Sequence, residues 1–511
     1  MGTTYDTVVM GGSLAGAATA LMLKRRVPGM RILVIEKSEE FDRKVGESTS
    51  EVSACFLTRV LGLTNYLGHN QLPKQGLRMW FAKSTTENFT DCSEIGPKYQ
   101  GRLPTFQLDR QKLDQHVLEE SVKAGAELLR PAKIKKFDIA QTGSDYHQLE
   151  VEANGETQKI SAKWLVDASG RVAMIGRKLG LLEPITEQPT AAIWGRFRGL
   201  KDWDSAEMKT ENADFSDVCR TQRTWATNHL NGLGWWCWII PLKGGDFSVG
   251  CVFDRRIFNL PEGPNLGERL KAHLLTHPVG RMLFEHATPV SGDMKACSQL
   301  PFRQKRIAEE NWCMVGDTAG FMDPMYSPGL DFISYSTTNA VDLISRAYQG
   351  ENISSAVDAY NFRWQDNFTK WFNGVYKNKY YYIGDAELMS TAFILDVSLY
   401  FIGPVRQAYS NISDRYTSPP YGGLPGDIVA CIMRTYNRRF SIIAKKRIAA
   451  GTYGRRNENW RELYPGFSPD GSVLKLMRRA FFRWLKIEIN ALFLKPEVKT
   501  LPALLPEPQS V

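Results

Sequence analysis

At 511 residues the chain is longer than one hydrophobic core usually supports, so two or three structural units are expected. Its 43% hydrophobic and 23% charged residues are those of a soluble globular protein. The net charge of +9 suits an anionic cofactor, an acidic partner or a membrane surface, and with basic residues scattered and no nucleic-acid motif, nucleic acid is set aside as a partner.

The first predicted element is a short strand, Asp6 to Met10, running into Gly11-Gly12-Ser13-Leu14-Ala15-Gly16 and an Ala-rich helix to Arg25. A second strand, Arg31 to Ile35, ends at Glu36-Lys37. This is a βαβ unit whose helix N-terminus faces a pyrophosphate, with Glu36 placed to accept from an adenosine ribose. Gly11, Gly12, Ser13, Ala15, Gly16, Glu36 and Lys37 are the expected dinucleotide contacts. Ser13 replaces the middle glycine of the fingerprint, adding one small side chain where the phosphate comes closest.

Three later segments point to FAD rather than NAD. Gly46-Glu47-Ser48 follows the βαβ unit, where a backbone turn can approach the isoalloxazine edge. Arg110 opens a helix and can reach a phosphate or the ribityl region. Val315-Gly316-Asp317 ends an apolar strand, with Asp317 placed to accept from a ribityl hydroxyl. Each alone could be a turn or a cap; their order and spacing carry the joint reading.

These residues resemble the FAD proteins that include aromatic hydroxylases, geranylgeranyl reductases and flavin-dependent halogenases. The segment Trp236-Cys237-Trp238-Ile239-Ile240-Pro241 is similar to the W-x-W-x-I-P signature of the halogenases, of the tryptophan halogenase type. On a strand both indoles point one way, as a rigid wall or as a buried aromatic pair. The resemblance implies that externally reduced FAD and O2 oxidise halide to hypohalous acid. That oxidant passes a tunnel to a lysine, which directs it onto an electron-rich aromatic or pyrrolic carbon. The matching lysine is Lys74, in Leu72-Pro73-Lys74-Gln75-Gly76, with Trp80, Phe81, Trp236, Trp238 and Tyr326 as expected substrate or tunnel walls. Lys74 is expected on the far side of Trp236 and Trp238 from the flavin, beside the pocket and partly desolvated.

The loop Asp323-Pro324-Met325-Tyr326-Ser327-Pro328-Gly329-Leu330 resembles the one that passes over the flavin, with Pro324, Gly329 and Leu330 as cofactor contacts. Halogenases usually carry Ser or Thr where Pro328 stands, and proline has no N–H. A halide would keep Ser327, Gly329 and Leu330. Pro328 therefore leaves a second reading open, a halogenase-like flavin monooxygenase or dehydrogenase without halide chemistry. No second nucleotide fingerprint opens a nicotinamide domain, so a separate flavin reductase is the expected partner. The substrate is a small aromatic, free or bound to an acyl carrier protein.

From about Val341 the chain reads as helical and aromatic. Met389 to Val405 is apolar but contains Asp396, and reads as a packed helix. Ser418 to Pro425 reads as a loop. Val473 to Phe493 is basic and amphipathic; a helix packed on the body with its basic side in water is the favoured reading, over peripheral membrane contact or carrier-protein docking. Leu501 to Val511 reads as a loose tail. The eight cysteines show no C-x-x-C pair or metal-ligand spacing, so reduced thiols, no metal and a cytoplasmic setting are expected.

The expected architecture is α/β: a hydroxylase-type, Rossmann-like FAD-binding domain with an inserted β-sheet substrate domain and a helical C-terminal region. The FAD domain is assembled from residues 1–80, 105–185 and 291–345. The substrate domain takes 81–104 and 186–290, and the helical region 346–511.

Overall fold

The computed structural model describes residues 3–141, 146–410 and 422–495. The tail from Leu501 and part of the expected Ser418–Pro425 loop lie outside them. Among the described residues the first sheet has seven strands. Thr3–Met10 is central, pairing in parallel with Ile32–Ile35 on one side and Glu156–Asp167 on the other. Its last four residues are fully buried, which suits a parallel strand covered on both faces. The helix Leu14–Arg26 packs over it with a small-residue face of Gly16, Ala17, Ala18 and Ala20.

The second sheet has nine strands among the described residues and is mostly antiparallel. Trp235–Pro241 lies in its middle, between Thr227–Gly232 and Phe247–Asp254. Strand alternation sends Trp236 and Trp238 into the core shared with the first sheet, and Cys237 and Ile239 into a separate cluster beneath the helices Leu266–Leu275 and Pro278–Phe284. Each indole buries enough apolar surface for about 4–6 kcal/mol as an upper estimate. Packing alone therefore accounts for two tryptophans here, whatever else they do.

The remainder is helical: Pro328–Tyr348, Ser354–Trp371, Ala386–Tyr400, Gly423–Ala449 and Ser472–Leu492. The Ser418–Pro425 loop reading overshot, since the helix already begins at Gly423. One strand, Arg461–Tyr464, arises where only helix was expected, and it pairs in parallel with Ser93–Pro97. Four residues are too few to show a strand period in the sequence. Ala386–Ser410 is apolar and long enough to cross a membrane by composition, yet 72% of its most apolar window is buried inside the protein.

Candidate active site

The turn after the first strand is shaped by close contacts. A Cβ on Gly16 would sit 1.9 Å from the Gly11 carbonyl oxygen, so only glycine lets the helix start this near the turn. The Gly12 N–H donates to Glu36 Oε2 at 2.8 Å and the Ser38 N–H to its Oε1 at 2.9 Å. Glu36 is thereby fixed at the strand end with lone pairs remaining. Lys37, expected to bind the cofactor, is exposed, because it lies on the outward side of that turn.

Ser13 does more than replace a glycine. Its hydroxyl donates to Asp114 and accepts from Lys44 Nζ at 2.8 Å. Asp114 also receives Arg110 Nε at 2.8 Å, and Arg110 reaches the Val45 carbonyl at 3.3 Å. Two cations thus converge beside the helix N-terminus, with one carboxylate between them. Lys44 and Asp114 escaped the sequence reading because neither belongs to a spaced motif. Across the site Asp317 is half-buried, burial raises its carboxyl, and it accepts no hydrogen bond among the described residues. A carboxylate kept there is served by a hydroxyl-bearing ligand. Helix N-terminus, fixed Glu36, the Arg110–Lys44 pair and Asp317 together fit FAD.

Gly46 has φ +92°, and a Cβ on it would lie 2.8 Å from Arg110 Nη1. Gly46→Ala is expected to push that guanidinium aside and add backbone strain of about 1–3 kcal/mol. The affinity for FAD should fall at least tenfold in a fluorescence-quenching titration, with the far-UV circular dichroism unchanged.

Glu47 is buried and pushed up to about 7 by that burial, although Arg196 sits 2.8 Å away and draws it down. Arg196 also meets Asp109 at 3.1 Å. It comes from the substrate-sheet strand Thr190–Arg198 and was not anticipated. Ser48 exchanges a hydrogen bond with Thr227 at 3.0 Å, a second tie between the Gly46–Ser48 turn and the substrate sheet. Trp238 Nε1 donates to Ser248 at 3.2 Å. Trp236 Nε1 donates to Tyr380, whose own hydroxyl donates to Asp323 at 2.6 Å. The tryptophan strand is thereby bonded to the loop containing Pro324.

Lys74 is buried, and its ammonium donates to the Thr49 carbonyl at 2.7 Å. Burial pushes it down to about 8, against the pull of Glu51 and Asp331. It lines a cavity of about 120 Å³ with Glu51, Asp331, Tyr326, Phe393 and Tyr400. Asp331 accepts from Ser50, from the Ser53 N–H at 3.1 Å and from the Tyr400 hydroxyl at 3.0 Å. Burial still lifts it to about 7. Glu51 is likewise raised by burial. Neither acid was anticipated: Asp331 stands only two residues past the marked Gly329, but its side chain faces the lysine once helix Pro328–Tyr348 has formed.

Four of the expected walls do not line this cavity. Trp80 turns to the opposite face of the substrate sheet, stacked on Trp203 with centroids 4.8 Å apart. Alternation along Leu77–Phe81 separates it from Phe81, which is fully buried in the shared core. Trp236 and Trp238 also stay outside the lining of the Lys74 cavity, in contact with each other and, for Trp236, with His229. Tyr326 alone of the expected set lines it.

Tyr326 and Ser327 have φ +68° and +61°, two successive side-chain-bearing residues in the left-handed region. Tyr326 is held by Asp396 at 3.2 Å and by Lys379 at 3.3 Å. Helix Pro328–Tyr348 then begins with proline at its first position, where an N–H has no helical partner anyway. The N–H groups of Gly329 and Leu330 find no acceptor among the described residues and sit at the positive end of a 21-residue helix.

Away from this region Cys237 and Cys251 face each other across paired strands, and His273 joins them with donor atoms within 4.8 Å. The sequence spacing did not reveal this buried group. Three soft donors meet there and no fourth joins them among the described residues.

Comparison with known proteins gives a consistent set. The model of the tryptophan halogenase family matches residues 82–376. The flavin-dependent halogenase chlA of Dictyostelium discoideum is 26% identical over 443 residues, covering 78% of this chain and 69% of that protein. The 1H-pyrrole-2-carbonyl-(peptidyl-carrier protein) chlorinase of Pseudomonas fluorescens is 25% identical, covering 77% and 86%. Among solved structures, halogenase PltM in complex with phloroglucinol and FAD shares 16% identity with a TM-score of 0.74, over 95% of this chain and 98% of that one.

Proposed function

The chain belongs to the tryptophan halogenase family of FAD-dependent enzymes, and on that premise we propose that it halogenates a free, single-ring phenol. The observation that carries this is a desolvated lysine, Lys74, in a cavity of about 120 Å³. A dry cavity of about 150 Å³ holds one benzene ring, so at about 120 Å³ this one is nearer the size of a single ring than of a fused system. The PltM neighbour, with its phloroglucinol, supports a phenolic substrate; the carrier-protein chlorinase supports a tethered ring as the competing case. The cavity favours the free phenol, since Tyr326, Tyr400, Glu51 and Asp331 offer hydroxyl partners.

Reduced FAD, supplied by a separate flavin reductase, provides the two electrons that let O2 oxidise halide. The protein's own residues do the rest. Gly329 and Leu330 N–H groups, with Ser327, hold the halide. The Lys74 ammonium donates to the oxygen of hypohalous acid and polarises the bond to the halogen. The ring carbon takes the halogen as that bond breaks, and the ring proton leaves with the departing hydroxide as water. Asp331, lifted to about 7, and Glu51, raised by burial, can hold the phenolic proton near the ring.

The test supplies reduced FAD, O2, bromide and resorcinol-type phenols to the purified protein. The expected product carries bromine in its isotope pattern. A product gaining only oxygen would favour the halide-free monooxygenase reading, which draws on Pro328. The same residue yields a sharper expectation. Pro328→Ser restores one N–H at the halide, and a charge-assisted hydrogen bond of about 1.5–3 kcal/mol should lower the halide KM about tenfold or more.

A further inference from the structure

Seven of the nineteen exposed large hydrophobic side chains among the described residues lie on one helix, Ser472–Leu492, and the residue after it. Val473, Leu476, Ala480, Ile487 and Ala491 form its buried side. At 100° per residue, Phe482 and Ile489 fall about half a turn away, with Leu474, Phe481, Leu485 and Leu492 beside them at roughly a third of a turn. Their exposures run from 42% at Leu485 to 74% at Leu492, and Phe493 follows at 77%. The helix is therefore apolar on both sides. This corrects the expectation that its outward face is simply basic.

The outward stripe is about 27 Å long and is interleaved with Lys475, Arg478, Arg479 and Lys486, with Lys495 just beyond. All five cations are exposed, and none has an anionic partner among the described residues. Glu488 is the sole acid from 472 to 495, and Arg439 already neutralises it at 2.6 Å. Arg483, on the inward edge, is bound to Glu462.

We propose that this face docks on a membrane surface rich in acidic phospholipid. Charge complementarity selects an anionic occupant. A second copy of the chain would bring two rows of unpaired cations together, which opposes self-association through this face. The stripe is a convex ridge on a single helix, and a protein partner would need a matching acidic groove. A bilayer surface accepts a convex apolar ridge directly, with lysine and arginine heads at the phosphate level. The helix packs chiefly on Ala386–Tyr400, whose Phe393 and Tyr400 line the Lys74 cavity, so docking would bring the cavity close to the lipid.

Full-length protein would be sedimented with phosphatidylcholine vesicles with and without phosphatidylserine. Binding is expected only with phosphatidylserine, and it should weaken in high salt. Arg478→Gln with Arg479→Gln should lower the vesicle affinity about thirtyfold, from about fivefold per cation near an acidic surface. Phe482→Ser with Phe493→Ser should lower it at least tenfold through lost apolar burial. These positions are exposed, so folding is checked by circular dichroism and by retained FAD binding. No sedimentation with acidic vesicles overturns the proposal, as does binding that the four substitutions leave unchanged. A solution dimer that Phe482→Ser dissociates would overturn it as well, by assigning the face to a second copy.

Discussion

Replacing Lys74 by methionine is expected to remove halogen transfer while sparing both the fold and the oxidation of supplied flavin. The ammonium is the buried cation of the cavity lining, beside Glu51 and Asp331, and its removal takes away the donor placed for hypohalous acid. Loss of such a positioned donor costs about 10²–10⁴-fold in rate. Halogenated phenol, measured by mass spectrometry, should fall by that factor. Oxygen-dependent reoxidation of reduced FAD, followed by absorbance, should be unchanged, because Lys74 is not among the residues around Glu36, Arg110 and Asp317. Equal loss of both signals would show that Lys74 acts on cofactor binding instead.

The same variant carries a stability prediction of unusual sign. Burial lowers Lys74 from 10.5 to about 8, so between those values the unfolded chain holds more protons than the folded one. Stability of the native protein therefore rises with pH through that window, and below it the buried ammonium costs on the order of 3 kcal/mol. Methionine removes that cost but leaves the Thr49 carbonyl unpaired, a loss of about 1–3 kcal/mol. Desolvation is the larger effect, so Lys74→Met should be at least as stable as the native chain at neutral pH. Its advantage should shrink as pH climbs from about 8 towards 10.5. A group kept at a cost in stability is what a functional lysine looks like.

How much of this could be read beforehand depended on where the physics lies in the chain. Gly11 to Glu36 was legible because the contacts that shape the turn, Gly16 against Gly11 and Gly12 against Glu36, lie within one βαβ unit. Lys74 was legible through the family motif, and burial then agreed with the desolvation expected of it. Trp80 was misplaced for a reason internal to strands. Residue order tells that Trp80 and Phe81 face opposite ways, but which way is inward is decided by what packs on each face. For Trp80 that is Trp203 and Phe215, far along the chain. Asp331 was hidden similarly, since only the direction of helix Pro328–Tyr348 turns it towards Lys74. The outward apolar stripe of Ser472–Leu492 was visible as hydrophobic residues; its side became known only once the opposite side was seen buried.

Arg196 was the least legible and carries the largest expected effect on stability. It is 5% exposed and joins Glu47 and Asp109, which lie 149 and 87 residues away in sequence, so no spacing could reveal the cluster. Arg196→Met would strand two buried carboxylates near each other. Breaking a buried pair from one side costs about 3–5 kcal/mol, far more than a surface charge would. The pH dependence fixes the cause. Glu47 stands at about 7 in the native fold against an ordinary 4.5, so the folded chain binds more protons between those values and stability falls as pH rises through them. Arg196 restrains that rise, and without it Glu47 moves higher and the loss extends further into the neutral range. Urea unfolding should therefore show the smallest deficit for Arg196→Met in acid, below about 4.5, and the largest above 7. A deficit independent of pH would mean that the lost packing of the arginine stem, rather than the unpaired carboxylates, sets the stability of the joint between the substrate sheet and the segments holding Glu47 and Asp109.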